Sequence, residues 1–275
     1  MKIVAVVIFT PRWASADTTG DDYYLYPPTN FKIGNYSSSL GTVGTGYDYL
    51  FKFAKKISSR YSDVIEYWEF WNEPDVINGF LYDFDNDGST ANEYAKLLEY
   101  FYHGIKEGNA SAKVLLGGLA NSSLEDNCDI NFAEAILNNQ FYPAKDNFDI
   151  FNFHVNFKSP EEILSDIDKF SNLLNQYSID SKPMWITESS YSPIQRFQNV
   201  ENYQNGEVSF NNYVRDVLSL EINSKVQAAF WAVLFDYPDS TEDDFPYKFS
   251  GLFTNDLREK DAAEIFKNIQ SSFDK

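Results

Sequence analysis

Short apolar stretches alternate with amphipathic stretches along most of the chain. The apolar stretches predict six strands, at Ile3–Phe9, Ile65–Trp71, Lys113–Gly117, Phe148–Val155, Met184–Thr187 and Ala228–Phe235. Between and after them, apolar residues recur at helical spacing and predict six helices, at Tyr47–Tyr61, Ala91–Lys106, Phe132–Asn138, Pro160–Tyr177, Phe210–Asn223 and Asp261–Phe273. Strands that alternate with helices form βαβ units, so the sequence predicts an α/β fold with a parallel sheet covered by helices.

The first sixteen residues, MKIVAVVIFTPRWASA, allow two interpretations. One lysine, an apolar run and a final Ala-Ser-Ala are typical of a secretory signal peptide. The alternative is a buried parallel strand from Lys2 to Phe9. A strand is favoured because the apolar run is short and rich in β-branched residues, and because Arg12 and Trp13 would lie beside the cleavage site. The compartment stays open between the cytoplasm and secretion from a longer precursor.

Length and charge limit the classes of partner. A chain of 275 residues fits one large domain, and we expect residues 1–275 to form a single one. The net charge of −19 argues against nucleic acid, because phosphates are bound by clustered Lys and Arg. No apolar run reaches the roughly 20 residues of a membrane helix, so no membrane partner is predicted. A neutral ligand fits better, and 17% of the residues are aromatic.

Two of the predicted strands run into a glutamate. One continues into Asn72, Glu73 and Pro74, and the proline prevents further strand pairing; the other ends on Glu188. Because strand C-termini face the active site in parallel α/β folds, both carboxylates would point into one pocket. Glycoside hydrolysis needs such a pair, one protonated to donate to the leaving oxygen and one ionised to attack the anomeric carbon. The alternative is two ordinary acids among 41.

The stretch YWEFWNEP at 67–74 resembles the fourth-strand motif of clan A retaining glycoside hydrolases. The similarity is greatest to glycoside hydrolase family 39, which includes β-xylosidases, α-L-iduronidases and bacterial endoglycosidases. It extends along the chain through positions 10–13, 26–28, 114–118, 151–154, 185–188, 230–231 and 236. The resemblance implies a TIM-type (β/α) barrel, of which this chain carries six of eight βα units, starting at the third strand.

The resemblance also implies roles for single residues. Glu73 would be the acid/base and Glu188 the nucleophile, with their carboxyl groups about 5–5.5 Å apart. Asn72 would hold the sugar 2-hydroxyl. His154 would orient the catalytic pair, and Trp231 would form the floor beneath the sugar ring. Taken without the resemblance, both are typical of ordinary core residues.

The chain departs from the family two residues after His154. Clan A enzymes usually have a tyrosine there that hydrogen-bonds the nucleophile, whereas this chain has Asn156. We expect Asn156 to belong to the substrate-binding residues, together with Trp13 and Tyr26 from the region after the first strand, whose rings would stack on sugar. An ordered surface loop is the alternative for residues 17–46.

An acidic stretch, DFDNDG at 83–88, matches the opening of a calcium loop. Asp83, Asp85 and Asp87 would supply oxygen ligands, but the twelfth position is Tyr94, where an EF-hand has glutamate. A structural calcium ion and a solvated acidic turn are both open. The chemistry implied by the resemblance requires no cofactor.

Six parallel strands do not close as eight do without a change in tilt and stagger, so the outer strands would leave open edges. Open edges favour pairing with another chain, and we expect either an unusual smaller barrel or a homo-oligomer that covers them.

The two glutamates and the resemblance together predict a retaining glycoside hydrolase that acts on β-linked oligo- or polysaccharide through a covalent glycosyl-enzyme intermediate. The alternative is a non-catalytic carbohydrate-binding remnant of such an enzyme.

Overall fold

The structure is a computed structural model, which describes residues 2–15, 19–26, 48–76, 89–120, 128–191, 206–223, 225–237 and 249–271. These residues form six strands: β1 (Val4–Val7), β2 (Tyr67–Asn72), β3 (Lys113–Gly118), β4 (Phe151–Asn156), β5 (Met184–Ser190) and β6 (Val226–Trp231). They also form six α-helices: α1 (Asp48–Arg60), α2 (Ser89–Gly108), α3 (Cys128–Leu137), α4 (Pro160–Gln176), α5 (Gly206–Asn223) and α6 (Asp261–Ser271). Every predicted strand and helix is confirmed, with ends that differ by a few residues.

The chain divides into two compact parts, which are described separately. The first part comprises residues 1–152 and 177–182, and the second comprises residues 153–176 and 183–275. The division falls within β4. The expectation of one domain over residues 1–275 stays a prediction.

The first part is built on the parallel sheet β1-β2-β3. Tyr67 of β2 is in register with Val4 of β1 and with Lys113 of β3. Residues 67–71 and 114–118 are buried in unbroken runs, as expected for parallel strands that are covered on both faces. An isolated parallel bridge between Leu115 and Ile150 continues this pattern beyond β3.

Two glycines allow α1 and α2 to pack closely. A Cβ atom at Gly104 would lie 2.6 Å from the carbonyl oxygen of Phe51, and one at Gly108 would lie 2.3 Å from that of Lys55. Ser58 of α1 donates a hydrogen bond to the Ile105 carbonyl, 2.9 Å away. The other side of α2 covers β2, where the rings of Phe70 and Phe101 stack with centroids 4.6 Å apart. Burial of a ring such as Phe101 stabilises the fold by roughly 1.5–3 kcal/mol.

The second part is built on the sheet β4-β5-β6. Met184 of β5 pairs with Val226 of β6, and Ser189 pairs with Trp231, but the register shifts between Ile186 and Ser189. Such irregularities redirect side chains and are common beside active sites. This one lies at Glu188.

Helix α4 begins with a reciprocal side-chain cap. The Ser159 backbone N–H donates to Glu162 Oε2 at 2.7 Å, and the Glu162 N–H donates to Ser159 Oγ at 3.2 Å. This reciprocal arrangement is a capping box, and Pro160 occupies the first helical position. Within the described residues, no helix combines the length and apolar character that a membrane crossing requires.

Candidate active site

The backbone at the end of β2 is unusual. Trp71 has a φ of 74° and Glu73 a φ of 49°, in the left-handed region that non-glycine residues rarely adopt. The Glu73 backbone N–H donates to the Gly118 carbonyl at 2.8 Å, which fixes this turn to β3. Because strained backbone is concentrated at functional sites, the end of β2 is a candidate site independently of its sequence motif.

The hydroxyl of Tyr94 bridges β2 and β3 at this turn. It donates to the Phe70 carbonyl at 3.0 Å and accepts a hydrogen bond from the Gly117 N–H at 2.8 Å. Burial raises the pKa of the Tyr94 hydroxyl, so the group stays a neutral donor and acceptor. A Cβ atom at Gly117 would lie 2.5 Å from the Phe70 carbonyl oxygen, so the close approach of the two strands requires glycine there.

The position of Tyr94 bears on the calcium hypothesis. The residue lies inside α2 and is fully buried, with its hydroxyl bound to two backbone groups. The loop template would make it the twelfth position of a calcium site. Asp83, Asp85 and Asp87 lie outside the described residues, so a structural calcium ion stays a prediction.

A buried carboxylate lies within β2 itself. Glu69 is 2% exposed, and its Oε1 accepts hydrogen bonds from the Gly118 N–H at 3.0 Å and from Asn152 Nδ2 at 2.9 Å. At the end of the strand, Asp75 Oδ1 accepts a hydrogen bond from the Ala120 N–H at 2.8 Å. Sequence reasoning missed Glu69, although a single acid in the apolar run YWEFW was a usable signal. Together these contacts fix the backbone that carries Asn72 and Glu73.

The second part contains the other candidate glutamate, at the bulge in β5. Glu188 Oε2 accepts a hydrogen bond from Asn156 Nδ2 at 2.9 Å, and His154 Nδ1 lies 3.7 Å from the same oxygen. His154 Nε2 lies 3.2 Å from Thr187 Oγ1. His154 and Asn156 project from the same face of β4, because side chains alternate along a strand. The structure thus brings three predicted site residues together, with a Glu188 side chain that is 30% exposed.

Asn156 has a further partner that sequence reasoning missed. Ser190 Oγ donates to Asn156 Oδ1 at 2.6 Å, and Ser190 is fully buried. Spacing along β5 gave no signal for this contact, because the register of the strand shifts between Ile186 and Ser189. Asn156 contacts the predicted nucleophile directly, in the position where the family usually has tyrosine.

Trp231 ends β6 and is held by the chain that precedes α6. Its Nε1 donates to the Ser250 carbonyl at 2.8 Å, and its ring lies edge-on to Phe210, with centroids 5.8 Å apart. Ser250 Oγ donates to the Tyr191 carbonyl at 2.7 Å. Nearby, Lys260 Nζ is 2.7 Å from Asp236 Oδ1, in a largely buried ion pair. Trp231 is therefore firmly oriented and remains partly accessible.

Trp13 and Tyr26 belong to the first part, in the region after β1. Trp13 is 74% exposed and contacts Tyr49 of α1 edge-on at 6.2 Å. Tyr26 ends a short 3-10 helix, Tyr23–Leu25, and its N–H donates to the Tyr23 carbonyl at 3.3 Å. An open cleft of about 470 Å³ lies here, and the described residues that line it are Ile8, Phe9, Thr10, Pro11, Tyr23 and Tyr24. Its aromatic lining is of the kind that stacks on sugar rings.

Comparison with known proteins gives a structural answer only. No protein-family profile matches this sequence, and no curated protein sequence matches it. The chain is similar to a monomeric β-xylosidase from Caulobacter crescentus (TM-score 0.57, 18% identity, 82% of this chain and 46% of that one). It is also similar to fungal β-1,4-galactanases (TM-score 0.60, 15% identity, 80% and 67%) and to a family 39 enzyme from Xanthomonas axonopodis pv. citri (TM-score 0.55, 16% identity, 81% and 44%).

At these identities the likeness shows the fold. The predicted resemblance to glycoside hydrolases, including family 39, is confirmed, because enzymes of this kind are among the similar structures. The chain spans less than half the length of the xylosidase and of the family 39 enzyme. Its two parallel sheets with alternating strands and helices agree with the predicted α/β class.

Proposed function

We propose that this protein is a retaining glycoside hydrolase that cleaves β-glycosidic bonds in an oligo- or polysaccharide. The observation that carries the proposal is the arrangement around Glu188 near the end of β5, where Asn156 hydrogen-bonds its Oε2 and His154 Nδ1 lies 3.7 Å from the same oxygen. A partly exposed carboxylate that is held in one orientation is what retention requires of its nucleophile. The strained backbone at Glu73 supports a second functional carboxylate.

In this mechanism Glu188 attacks the anomeric carbon while Glu73 donates its proton to the departing oxygen. The products of the first step are a glycosyl ester on Glu188, a Glu73 carboxylate and the free leaving group. Glu73 then removes a proton from water, and the resulting hydroxide attacks the anomeric carbon and releases Glu188. Two inversions at one carbon give net retention. Both steps use only these side chains and water.

Other residues take supporting roles in the proposal. Asn72 would donate to the sugar 2-hydroxyl, where hydrogen bonds strengthen in the transition state. Trp231 would stack beneath the ring, with its indole N–H bound to the Ser250 carbonyl. The chain would form an incomplete TIM-type barrel of six βα units, and retention requires carboxyl groups of Glu73 and Glu188 about 5–5.5 Å apart.

The experiment is product stereochemistry and azide rescue on aryl β-glycosides. Retention predicts that NMR detects the β-anomer as the first product. Glu188→Ala with azide should give the α-glycosyl azide, and Glu73→Ala with azide should give the β-glycosyl azide. Glu161→Gln, at an exposed acid on α4, is the matched control and should behave as the wild type. An α-anomeric first product would contradict the proposal, because it requires an inverting pair.

The second candidate is a carbohydrate-binding protein without turnover. It is favoured by the exposed pair Trp13 and Tyr49 and by the aromatic cleft after β1, neither of which needs a catalytic carboxylate. Binding of oligosaccharide that is lost in Trp13→Ala, without hydrolysis by the wild type, would support it.

A further inference from the structure

The side chain of Asn156 is bound at both ends. Its Nδ2 donates to Glu188 Oε2 at 2.9 Å, and its Oδ1 accepts from Ser190 Oγ at 2.6 Å. An amide has one accepting end and one donating end. Since an ionised carboxylate only accepts hydrogen bonds, the NH₂ group must face Glu188, and the amide oxygen is left to accept from the serine hydroxyl.

The surroundings keep this arrangement fixed. Ser190 is fully buried, so water does not compete for its hydroxyl, and its carbonyl accepts the Phe157 N–H at 2.9 Å. The serine is thus anchored through both its backbone and its side chain to the end of β4. Phe157 itself has a φ of 62°, so the chain leaves β4 immediately after Asn156.

We propose that Ser190 and Asn156 form a positioning relay that selects which oxygen of Glu188 reacts. The amide occupies Oε2, beside His154 Nδ1, and this leaves Oε1 as the attacking atom. Ser190 acts only through Asn156 and is a positioning residue. The kinetic consequence rests on the proposed function, whereas the hydrogen-bond relay itself does not.

The relay differs chemically from a hydroxyl donor. An amide cannot ionise at accessible pH, and it holds the carboxylate only while its own side chain stays in one rotamer. Without the Ser190 hydroxyl the Asn156 side chain can move away from Glu188 and leave the carboxylate free to rotate. The Ser190 hydroxyl is therefore expected to matter for reactivity more than for folding.

The first experiment detects the hydrogen bonds of Asn156 by NMR and does not depend on enzyme activity. In ¹⁵N-edited NMR spectra, the Asn156 side-chain amide is assigned by its disappearance in Asn156→Asp. We expect one strongly downfield amide proton that exchanges slowly with solvent. It should return towards the free-amide position in Ser190→Ala and in Glu188→Gln, and exchange should accelerate at least about tenfold. Ser189→Ala deletes a neighbouring buried hydroxyl and should leave the signal unchanged.

The second experiment measures the effect of Ser190 on the rate of catalysis. Ser190→Ala should lower kcat about three- to tenfold, the equivalent of one neutral hydrogen bond, with KM within about twofold. Trapping of the nucleophile by a 2-deoxy-2-fluoro glycoside should slow by the same factor, and Ser189→Ala should not slow it. If Ser190→Ala does not fold, Ser190→Cys keeps the volume with a weak donor and should show the same changes.

The outcomes separate the two claims. An Asn156 amide signal that is unchanged in Ser190→Ala or Ser190→Cys overturns the relay, whether or not the protein hydrolyses glycosides. Unchanged kinetics in an active Ser190→Ala enzyme also overturn it. A shifted amide signal in a protein that hydrolyses nothing supports the relay and contradicts the proposed function.

Discussion

Glu69 and Asn152 are 83 residues apart in sequence and share a buried hydrogen bond of 2.9 Å. The same oxygen of Glu69 binds the Gly118 N–H at 3.0 Å, so one carboxylate joins β2, the end of β3 and the start of β4. Asn152 is fully buried. The carboxylate therefore organises the interior of the first part near the strand end that carries Glu73.

Glu69→Ala should lower the free energy of unfolding by about 3 kcal/mol, because two buried N–H groups lose their acceptor and each costs roughly 1–3 kcal/mol. Urea unfolding measures this. Glu66→Ala, at an exposed acid three residues earlier, is the control and should change stability by less than about 0.5 kcal/mol. Equal losses of unfolding free energy in the two variants would show that the hydrogen bonds of the buried carboxylate do not stabilise the fold.

Tyr94→Phe tests the hydroxyl bridge between β2 and β3. The change removes one oxygen and leaves the Phe70 carbonyl and the Gly117 N–H without this partner, so we expect a loss of about 1–3 kcal/mol. Glycoside hydrolysis should fall as well, since the bridge lies at the turn that carries Glu73. Tyr102→Phe, on the same helix, should affect neither property. A fully stable and active Tyr94→Phe protein would contradict the role of the bridge.

The buried Tyr191, in the second part, should make the free energy of unfolding depend on pH. Burial raises the pKa of Tyr191 to about 12, and its ring stacks on that of Tyr213 with centroids 4.5 Å apart. The unfolded chain loses this proton near pH 10, before the folded protein does, so the free energy of unfolding should fall between about pH 10 and 12.

Absorbance titration of tyrosinate in the wild type and in Tyr191→Phe measures that group. The difference spectrum should show one tyrosine that ionises near pH 12. Ionisation of Tyr191 near pH 10 would mean that its hydroxyl is accessible to water in the folded protein.

The outer edge of β1 is a candidate surface for self-association. Within the described residues, β1 pairs with β2 alone, and Val6 in its centre is 48% exposed. If a second copy covers this strand, light scattering coupled to size-exclusion chromatography should detect a dimer or larger oligomer. Val6→Lys should shift it towards the monomer, because charged edge strands resist pairing. A wild-type monomer at all concentrations would exclude this form of association.

The strands were predictable from sequence because each follows from local chemistry, whereas the catalytic roles of Glu73 and Glu188 stay predictions. Strands β2 and β3 are mostly apolar since both of their faces are covered, and Pro74 marks where β2 stops. The end of β6 was less accurate: the apolar run continues to Phe235, but the strand ends at Trp231. Residues after it bind other segments, as in the Phe253 N–H to Leu234 carbonyl contact of 2.9 Å.

The supporting contacts could not be predicted in the same way. The bonds from Asn152 to Glu69 and from Ser190 to Asn156 join residues far apart in the chain, and they depend on strand register and on which side-chain atom faces which. No local pattern encodes this. The left-handed backbone at Trp71 and Glu73 is equally hidden, because neither residue is a glycine.

Release of reducing ends from a panel of β-linked polysaccharides and aryl β-glycosides would show whether this protein is a glycoside hydrolase and whether Glu188 is essential to it. Wild type, Glu188→Gln and Glu161→Gln are compared at equal concentration. We expect hydrolysis by the wild type and by Glu161→Gln, and a loss of at least about a thousandfold in Glu188→Gln, which keeps the shape of the side chain without its charge. Hydrolysis that survives in Glu188→Gln, or oligosaccharide binding without hydrolysis in the wild type, would contradict it.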